Sequence, residues 1–288
     1  MGKGCELLYM QNYHKARFHS QQFNLCHSKL TDKWFYFLES VQNAVLECSF
    51  KINKDNLYPW RFHLWFHKDI RDTVSLCLQF IKQYGCAERQ FDFTKFDTIY
   101  SRAFDQFDIG QLVLGVDFRK RIIDSRLKIW FVITRYEDSF LDTLINACGV
   151  SDDIRGYMHH PQLLIGFDFC FSGESRIKLY PIFFQRDFMD LNFCNKMKKL
   201  FSSFPMELMK LCDRFHIGIK EGSKDRILHF HPVDWKHFVH VLNKNGDLHL
   251  LEHAIQKLQK RNLREVFLSL SQFEIEQRCI KNINFYYM

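Results

Sequence analysis

The sequence has no Cys-x-x-Cys pair, although it carries 10 cysteines in 288 residues. Cysteines scattered this way indicate neither a zinc ribbon nor a disulfide framework, and several lie in apolar runs where a reduced thiol packs as a small hydrophobe. No uninterrupted apolar stretch is long enough to span a bilayer, and the opening MGKGCELLYM lacks the apolar run of a signal peptide. The same opening, Met1-Gly2-Lys3-Gly4-Cys5-Glu6, lacks the Ser or Thr of a myristoylation signal, so no lipid anchor is expected. These absences point to a cytoplasmic protein with no membrane partner. Low-complexity linkers are absent too, which argues for a single domain over residues 1–288.

What is abundant is phenylalanine, 31 residues in a chain that is 16% aromatic, and part of that ring surface is expected to line a site. The formal charge is +7. An excess of that sign suits an anionic partner, whether nucleic acid, membrane surface or phosphorylated small molecule, and does not choose among them.

The dominant pattern is a recurring pair of alternating strands separated by amphipathic helices. Leu46, Cys48, Phe50 and Ile52 share one face, leaving Glu47, Ser49 and Lys51 opposite. Trp60, Phe62, Leu64 and Phe66 then oppose Arg61, His63 and Trp65. Leu112 to Phe118 and Leu127 to Ile133 form a second pair across the polar connection Arg119 to Ser125, with Asp117, Lys128 and Trp130 on the other face. A third joins Ile165-Phe167-Phe169-Phe171 to Ile177-Leu179 through Ser172-Gly173-Glu174-Ser175, leaving Asp168, Lys178 and Tyr180 opposite. A fourth puts His216, His229 and His231 inward, and a closing strand alternates Ile283 and Phe285 with Asn284 and Tyr286. Helical stripes such as Val74-Cys77-Ile81 and Leu251-Ala254-Ile255-Leu258 need a sheet face to cover. About ten antiparallel strands with helices on one face most economically close into a barrel, giving an α+β fold whose polar positions line the lumen.

The lumen so read is basic and aromatic: Glu47, Arg61, Lys128, Lys178, Tyr180, His216, His229, His231, Asn284 and Tyr286, with Trp65 and Trp130 nearby. Cations converging in a partly dry cavity require an anion, and Arg with Lys is the usual chemistry for phosphate oxygens. Aromatic faces beside a diphosphate stabilise a carbocation by roughly 0.5 to 2 kcal/mol each. Any one of these cations is more often a solvated surface group, and Glu47 read blandly is a salt-bridge partner for Lys51. The agreement of several strands favours the site. His249 and His253 have metal-ligand spacing on a helix but no further ligand motif, so no metal site is expected.

Five stretches resemble the cyanobactin-type ribosomal peptide prenyltransferases: Leu46-Glu47 through Arg61-Phe62, Gly115 to Arg119 with Ser125 to Lys128, Leu164 to Tyr180, Gln185 to Phe188, and Asn282 to Tyr287. The resemblance implies the ABBA prenyltransferase barrel and transfer of a prenyl group from an allylic diphosphate to a peptide side chain. By it, Glu47 faces the acceptor's nucleophile, and Arg61, Lys128, Lys178 and Tyr180 hold the diphosphate. Trp130, His229, His231, Phe267 and Tyr286 wall the prenyl pocket. His216 stands where a bulky residue limits the family's pocket to five carbons, which favours dimethylallyl over geranyl diphosphate as co-substrate. Phe267 replaces a Trp of the relatives. The Asp-Asp-x-x-Asp magnesium signature of helical prenyl-synthesising enzymes is missing, since Asp152-Asp153-Ile154-Arg155-Gly156 breaks it, and Mg2+ dependence stays open. Tyr or Trp is the favoured acceptor, with Arg or His next, and a monomer is expected. A nucleic-acid-binding barrel without catalysis and an inactive relative are the competing readings, the first of which requires basic residues on an outer face.

Overall fold

In the computed structural model the described residues are 3–25, 28–41, 43–84, 90–103, 107–148, 153–223, 225–244, 248–258 and 263–288. Met1, Gly2 and Asp152, which figure in the expectations above, lie outside them. Ten strands form one closed barrel: β1 (Ala44–Asn53), β2 (Asn56–Phe66), β3 (Phe107–Asp117), β4 (Arg126–Tyr136), β5 (Leu163–Cys170), β6 (Ser175–Phe184), β7 (Cys212–Lys220), β8 (Ile227–Pro232), β9 (Phe267–Ser271) and β10 (Asn282–Tyr287). Each strand pairs antiparallel with its sequence neighbours, and β10 pairs with β1 to close the ring.

The alternation read from the sequence is the alternation of the barrel. Leu46, Cys48, Phe50, Phe62, Leu64, Phe167, Phe169, Phe215 and Phe230 point outward and are buried beneath the surrounding helices. Trp34, from the helix Lys29–Ser40, stacks on Phe62 at 6.0 Å and meets Phe80, from the helix Ile70–Lys82, edge-on at 5.9 Å. Burying such rings supplies most of what holds helix to sheet.

Three local features were not legible beforehand. β9 is five residues long and lies far along the chain from β8, so it offers too short an alternation to stand out. The β1–β2 turn uses Lys54 at φ 51°, a left-handed position that Gly or Asn would ordinarily announce. Pro59 is tolerated within β2 because the register shifts beside it, between Ser49 and Lys51.

β10 reaches only as far as Cys48 along β1, leaving the first residues of β1 without a strand on that side. The helix Lys3–Gln22 covers them: Asn12 Nδ2 donates to Ala44 O at 2.6 Å and Asn12 Oδ1 accepts from Leu46 N–H at 3.0 Å. A side-chain amide thus completes the ladder where the sheet stops, next to Glu47.

Candidate active site in the barrel lumen

Strand register sorts the inward side chains into layers. Arg61 of β2 lies opposite Asp117 of β3, Asp117 opposite Arg126 of β4, and Lys128 opposite Asp168 of β5. The result is a nest of cations around two buried carboxylates. Asp117 Oδ2 lies 3.1 Å from Arg126 Nε, 3.5 Å from Arg61 Nε and 3.7 Å from Lys128 Nζ, while Arg119 Nε meets Asp117 Oδ1 at 2.8 Å. Asp168 Oδ2 accepts from Lys178 Nζ at 2.5 Å and from Arg126 Nη1 at 3.1 Å.

Both carboxylates have no exposed side-chain surface. Burial pushes their pKa values up, but the guanidinium and ammonium groups outweigh it and hold both well below the usual carboxylate range. Burial, reinforced by the Arg61 and Arg126 charges, pulls Lys128 well below the usual lysine range, and Lys178 is lowered as well. The nest therefore carries more positive charge than it can comfortably hold empty.

One layer along the barrel the lining turns to rings. Trp130 lies flat on the wall because its neighbours Gly115 and Gly166 have no Cβ; one built at Gly166 would fall 2.4 Å from the indole, and one at Gly115 2.6 Å. Tyr180 lies over Gly218 in the same way and meets His229 edge-on at 5.1 Å. Lys128 Nζ sits 5.3 Å from the Trp130 ring and Arg61 5.4 Å from the Tyr286 ring. Phe267 stacks on Tyr286 at 4.1 Å and on His231 at 4.6 Å, and His216 is 5.0 Å from His231.

Glu47 and His63 occupy the same level, directly opposite each other on β1 and β2, with His63 Nδ1 2.6 Å from Glu47 Oε1. Trp65 Nε1–H donates to the other oxygen at 3.2 Å. Burial pushes the Glu47 pKa up to about 8 and the His63 pKa well below the usual range. Glu47 is thus paired with His63, and Lys51 stands two inward positions further along β1, opposite Tyr58.

All thirteen lumen side chains named from the sequence, Glu47, Arg61, Trp65, Lys128, Trp130, Lys178, Tyr180, His216, His229, His231, Phe267, Asn284 and Tyr286, line one cavity of about 330 Å³. This volume falls in the range of small-ligand sites. The sequence reading left four contributors without a role: His63, Arg126 and the carboxylates Asp117 and Asp168. Alternation placed both aspartates inward, and Arg126 precedes Lys128 on the same strand face, so the signal was present. Arg119, read as part of a polar connection, turns back to Asp117 and lies 4.2 Å over the Tyr58 ring.

A family model described as "Family of unknown function (DUF5838)" matches residues 11–288. The chain belongs to that family. No curated protein sequence matches it. Among solved structures it is similar to a "6-dimethylallyl tryptophan synthase", with TM-score 0.56 and 13% identity over 84% of this chain and 80% of that one. It is also similar to 6-dimethylallyltryptophan synthase from Micromonospora olivasterospora in complex with DMASPP and Trp, with TM-score 0.54 and 13% identity over 84% of this chain and 81% of that one. The DUF5838 barrel thus has the ABBA prenyltransferase fold.

Away from its lumen the DUF5838 chain brings His159, His160 and Asp187 together, their ligand atoms within 4.8 Å of one another, the one such potential metal group among the described residues. Asp187 already accepts from Phe184 N–H and contacts His160, each at 2.8 Å, so its position has a structural cause. His249 and His253 are exposed and belong to no such group. No helix among the described residues is long and apolar enough to cross a membrane.

Proposed function

We propose that this protein transfers a dimethylallyl group from its diphosphate to an aromatic side chain, Tyr or Trp, of a ribosomal cyanobactin-type peptide. The observation that carries the reading is the cation nest lying one layer from a ring-lined wall inside a closed barrel. Arg61, Arg119, Arg126, Lys128 and Lys178 face Asp117 and Asp168, an excess of three positive charges when all are ionised, which matches a diphosphate leaving group. As the C–O bond breaks, the diphosphate departs with the electron pair into that nest. Trp130, Tyr180 and Tyr286 then offer ring surface to the allylic cation, with Phe267 stacked between Tyr286 and His231. The acceptor forms the new bond, and Glu47 takes the proton it loses. Mg2+ would reach the site on the diphosphate oxygens, because the nest's carboxylates are already engaged by cations.

The acceptor end supports an aromatic choice. Besides Glu47 the cavity is lined by Trp65, which touches it, and by Val113, Val132, Ile182, His216 and Phe267. Asp117 and Asp168 are committed to the nest, which leaves Glu265, whose charge reaches Glu47, as the other carboxylate beside a guanidinium acceptor, and Arg follows Tyr and Trp. His216, whose ring lies tilted 5.0 Å from His231 in the cavity wall, favours dimethylallyl over geranyl diphosphate. The nucleic-acid reading loses its main support, because Arg61 and Lys128 are each 3% exposed and lie inside the barrel, where a polynucleotide backbone does not reach.

The test is incubation with dimethylallyl diphosphate, Mg2+ and cyclic peptides differing only in Tyr, Trp, His or Arg, read by mass spectrometry. Gain of one five-carbon unit on the Tyr or Trp peptide is the expected result. Absence of product with both dimethylallyl and geranyl diphosphate, from folded protein, would sink the reading.

A further inference from the structure

Glu47 is fixed from two sides by its own neighbours on β2. His63 Nδ1 holds Oε1 at 2.6 Å and Trp65 Nε1 holds Oε2 at 3.2 Å. His63 in turn has nowhere to turn: its ring meets Trp130 edge-on at 5.2 Å and lies 5.6 Å from the Tyr286 ring. A Cβ at Gly115 would fall 2.6 Å from His63 Cδ2, so the glycine is what admits the imidazole. His63 Nε2 is buried and has no hydrogen-bond partner among the described residues. The His63 ring borders the same cavity as Glu47, and the one hydrogen bond it makes is the contact of Nδ1 with the Glu47 carboxylate.

We propose that His63 is a positioning residue for the acceptor step, donating from Nδ1 to hold the Glu47 carboxylate and to keep it ionisable inside the barrel. This rests on the reading of Glu47 as the base. A carboxylate at this depth loses its water, and an N–H donor replaces part of that hydration. The acceptor's proton passes to Glu47, which becomes a carboxylic acid while Oε1 still accepts from His63. At pH below the Glu47 pKa the resting pair carries that same extra proton, and the acid donates from Oε1 to Nδ1 when the imidazole's own proton sits on Nε2. The two states exchange without moving a heavy atom.

The charged groups facing this pair come from several strands. Lys15 of the helix Lys3–Gln22 donates to Leu46 O at 2.8 Å and, with Arg61, favours ionised Glu47, while Glu265 opposes it. Lys128 and Arg61 disfavour a charged imidazole, and Asp117 and Asp168 favour one. The balance leaves His63 neutral and the carboxyl as the group that titrates, near 8.

The experiment is the pH profile of kcat, with both substrates saturating, for the wild type, His63→Asn and His63→Ala. Asn keeps a side-chain N–H near the Nδ1 position, and Ala removes it. The wild-type rate rises with pH around the Glu47 value of about 8. His63→Ala moves that midpoint up by about one unit and loses about tenfold at pH 7.5 but much less at pH 10, while His63→Asn keeps the wild-type midpoint. Affinity for inorganic diphosphate, unchanged in both variants, reports that the nest is folded. A flat wild-type profile, an unshifted midpoint in His63→Ala, or a loss equal at every pH overturns the proposal. Should His63→Ala not fold, a nitrogen-15 NMR titration of histidine-labelled wild type decides: the His63 Nδ1 signal must change with the kinetic midpoint, and an insensitive signal is fatal. Glu47→Gln separates the two levels. Wild-type rates in that variant would overturn Glu47 as the base, whereas an inactive Glu47→Gln beside an unshifted His63→Ala overturns only the role of His63.

Discussion

Lys178 donates to Asp168 Oδ2 at 2.5 Å, and the same oxygen takes Arg126 at 3.1 Å. One carboxylate atom therefore sets the spacing of two of the cations that would receive a diphosphate. Replacing Asp168 by Asn leaves both cations facing each other in a buried place, which is destabilising by about 3 kcal/mol at pH 7. The folded pKa of Asp168 lies below its ordinary 3.8, so its contribution is present above that value and lost as pH falls through the folded one. Chemical denaturation should show the gap between wild type and Asp168→Asn at pH 7 and its narrowing below pH ~3.

Diphosphate binding should take up protons. Burial, together with Arg61, Arg126 and Arg119, pulls Lys51 down to about 8, and Lys128 is held well below its ordinary value. An arriving anion reverses that pressure and raises both. Calorimetry of inorganic diphosphate binding at pH 8 in buffers of different ionisation enthalpy should give an uptake of roughly 0.5 to 1 proton per site. A binding enthalpy independent of buffer counts against an overcharged nest.

Gly166→Ala should abolish transfer while Gly156→Ala leaves it intact. A Cβ at Gly166 lies 2.4 Å from Trp130 Cδ1 and Nε1, whereas one at Gly156 meets nothing within 4 Å. The overpacked variant is expected to lose about 1–3 kcal/mol of stability, seen as a lower melting temperature, and at least tenfold in rate as the indole leaves the wall.

Glu47→Gln should stabilise the protein at alkaline pH. Glu47 has a folded pKa of about 8 against an ordinary 4.5, so its stabilising contribution is complete below 4.5 and is lost as pH rises through 8. Gln does not ionise. The difference in unfolding free energy should therefore grow in favour of the variant from pH 5 to pH 9, by on the order of 2–4 kcal/mol. A difference that stays level across that range would mean that Glu47 ionises in the folded barrel as readily as in the unfolded chain.

Alternation alone exposed the barrel and most of its lumen. A period of two is written directly into runs such as Leu46-Glu47-Cys48-Ser49-Phe50, and the inward members Arg61, Lys128, Lys178 and His229 follow from it. Pairing is not written there. That His63 faces Glu47, or that Arg126 bridges Asp117 and Asp168, depends on which residues the register sets opposite one another, and register is decided by the closure of the ring. β9 escaped because Phe267-Leu268-Ser269-Leu270-Ser271 is too short to reveal a period without its partners β8 and β10.

Asn12 gives the first helix a part in the history of the chain as well as in its final form. Until its amide meets Ala44 O and Leu46 N–H, the start of β1 presents a bare hydrogen-bonding edge that another copy can use as a template. The helix Lys3–Gln22 precedes every strand in the order of synthesis, so the cover for that edge is made before the edge itself. Chains shortened from the N-terminus should therefore fail first by self-association during folding, ahead of any loss of catalysis in molecules that do close.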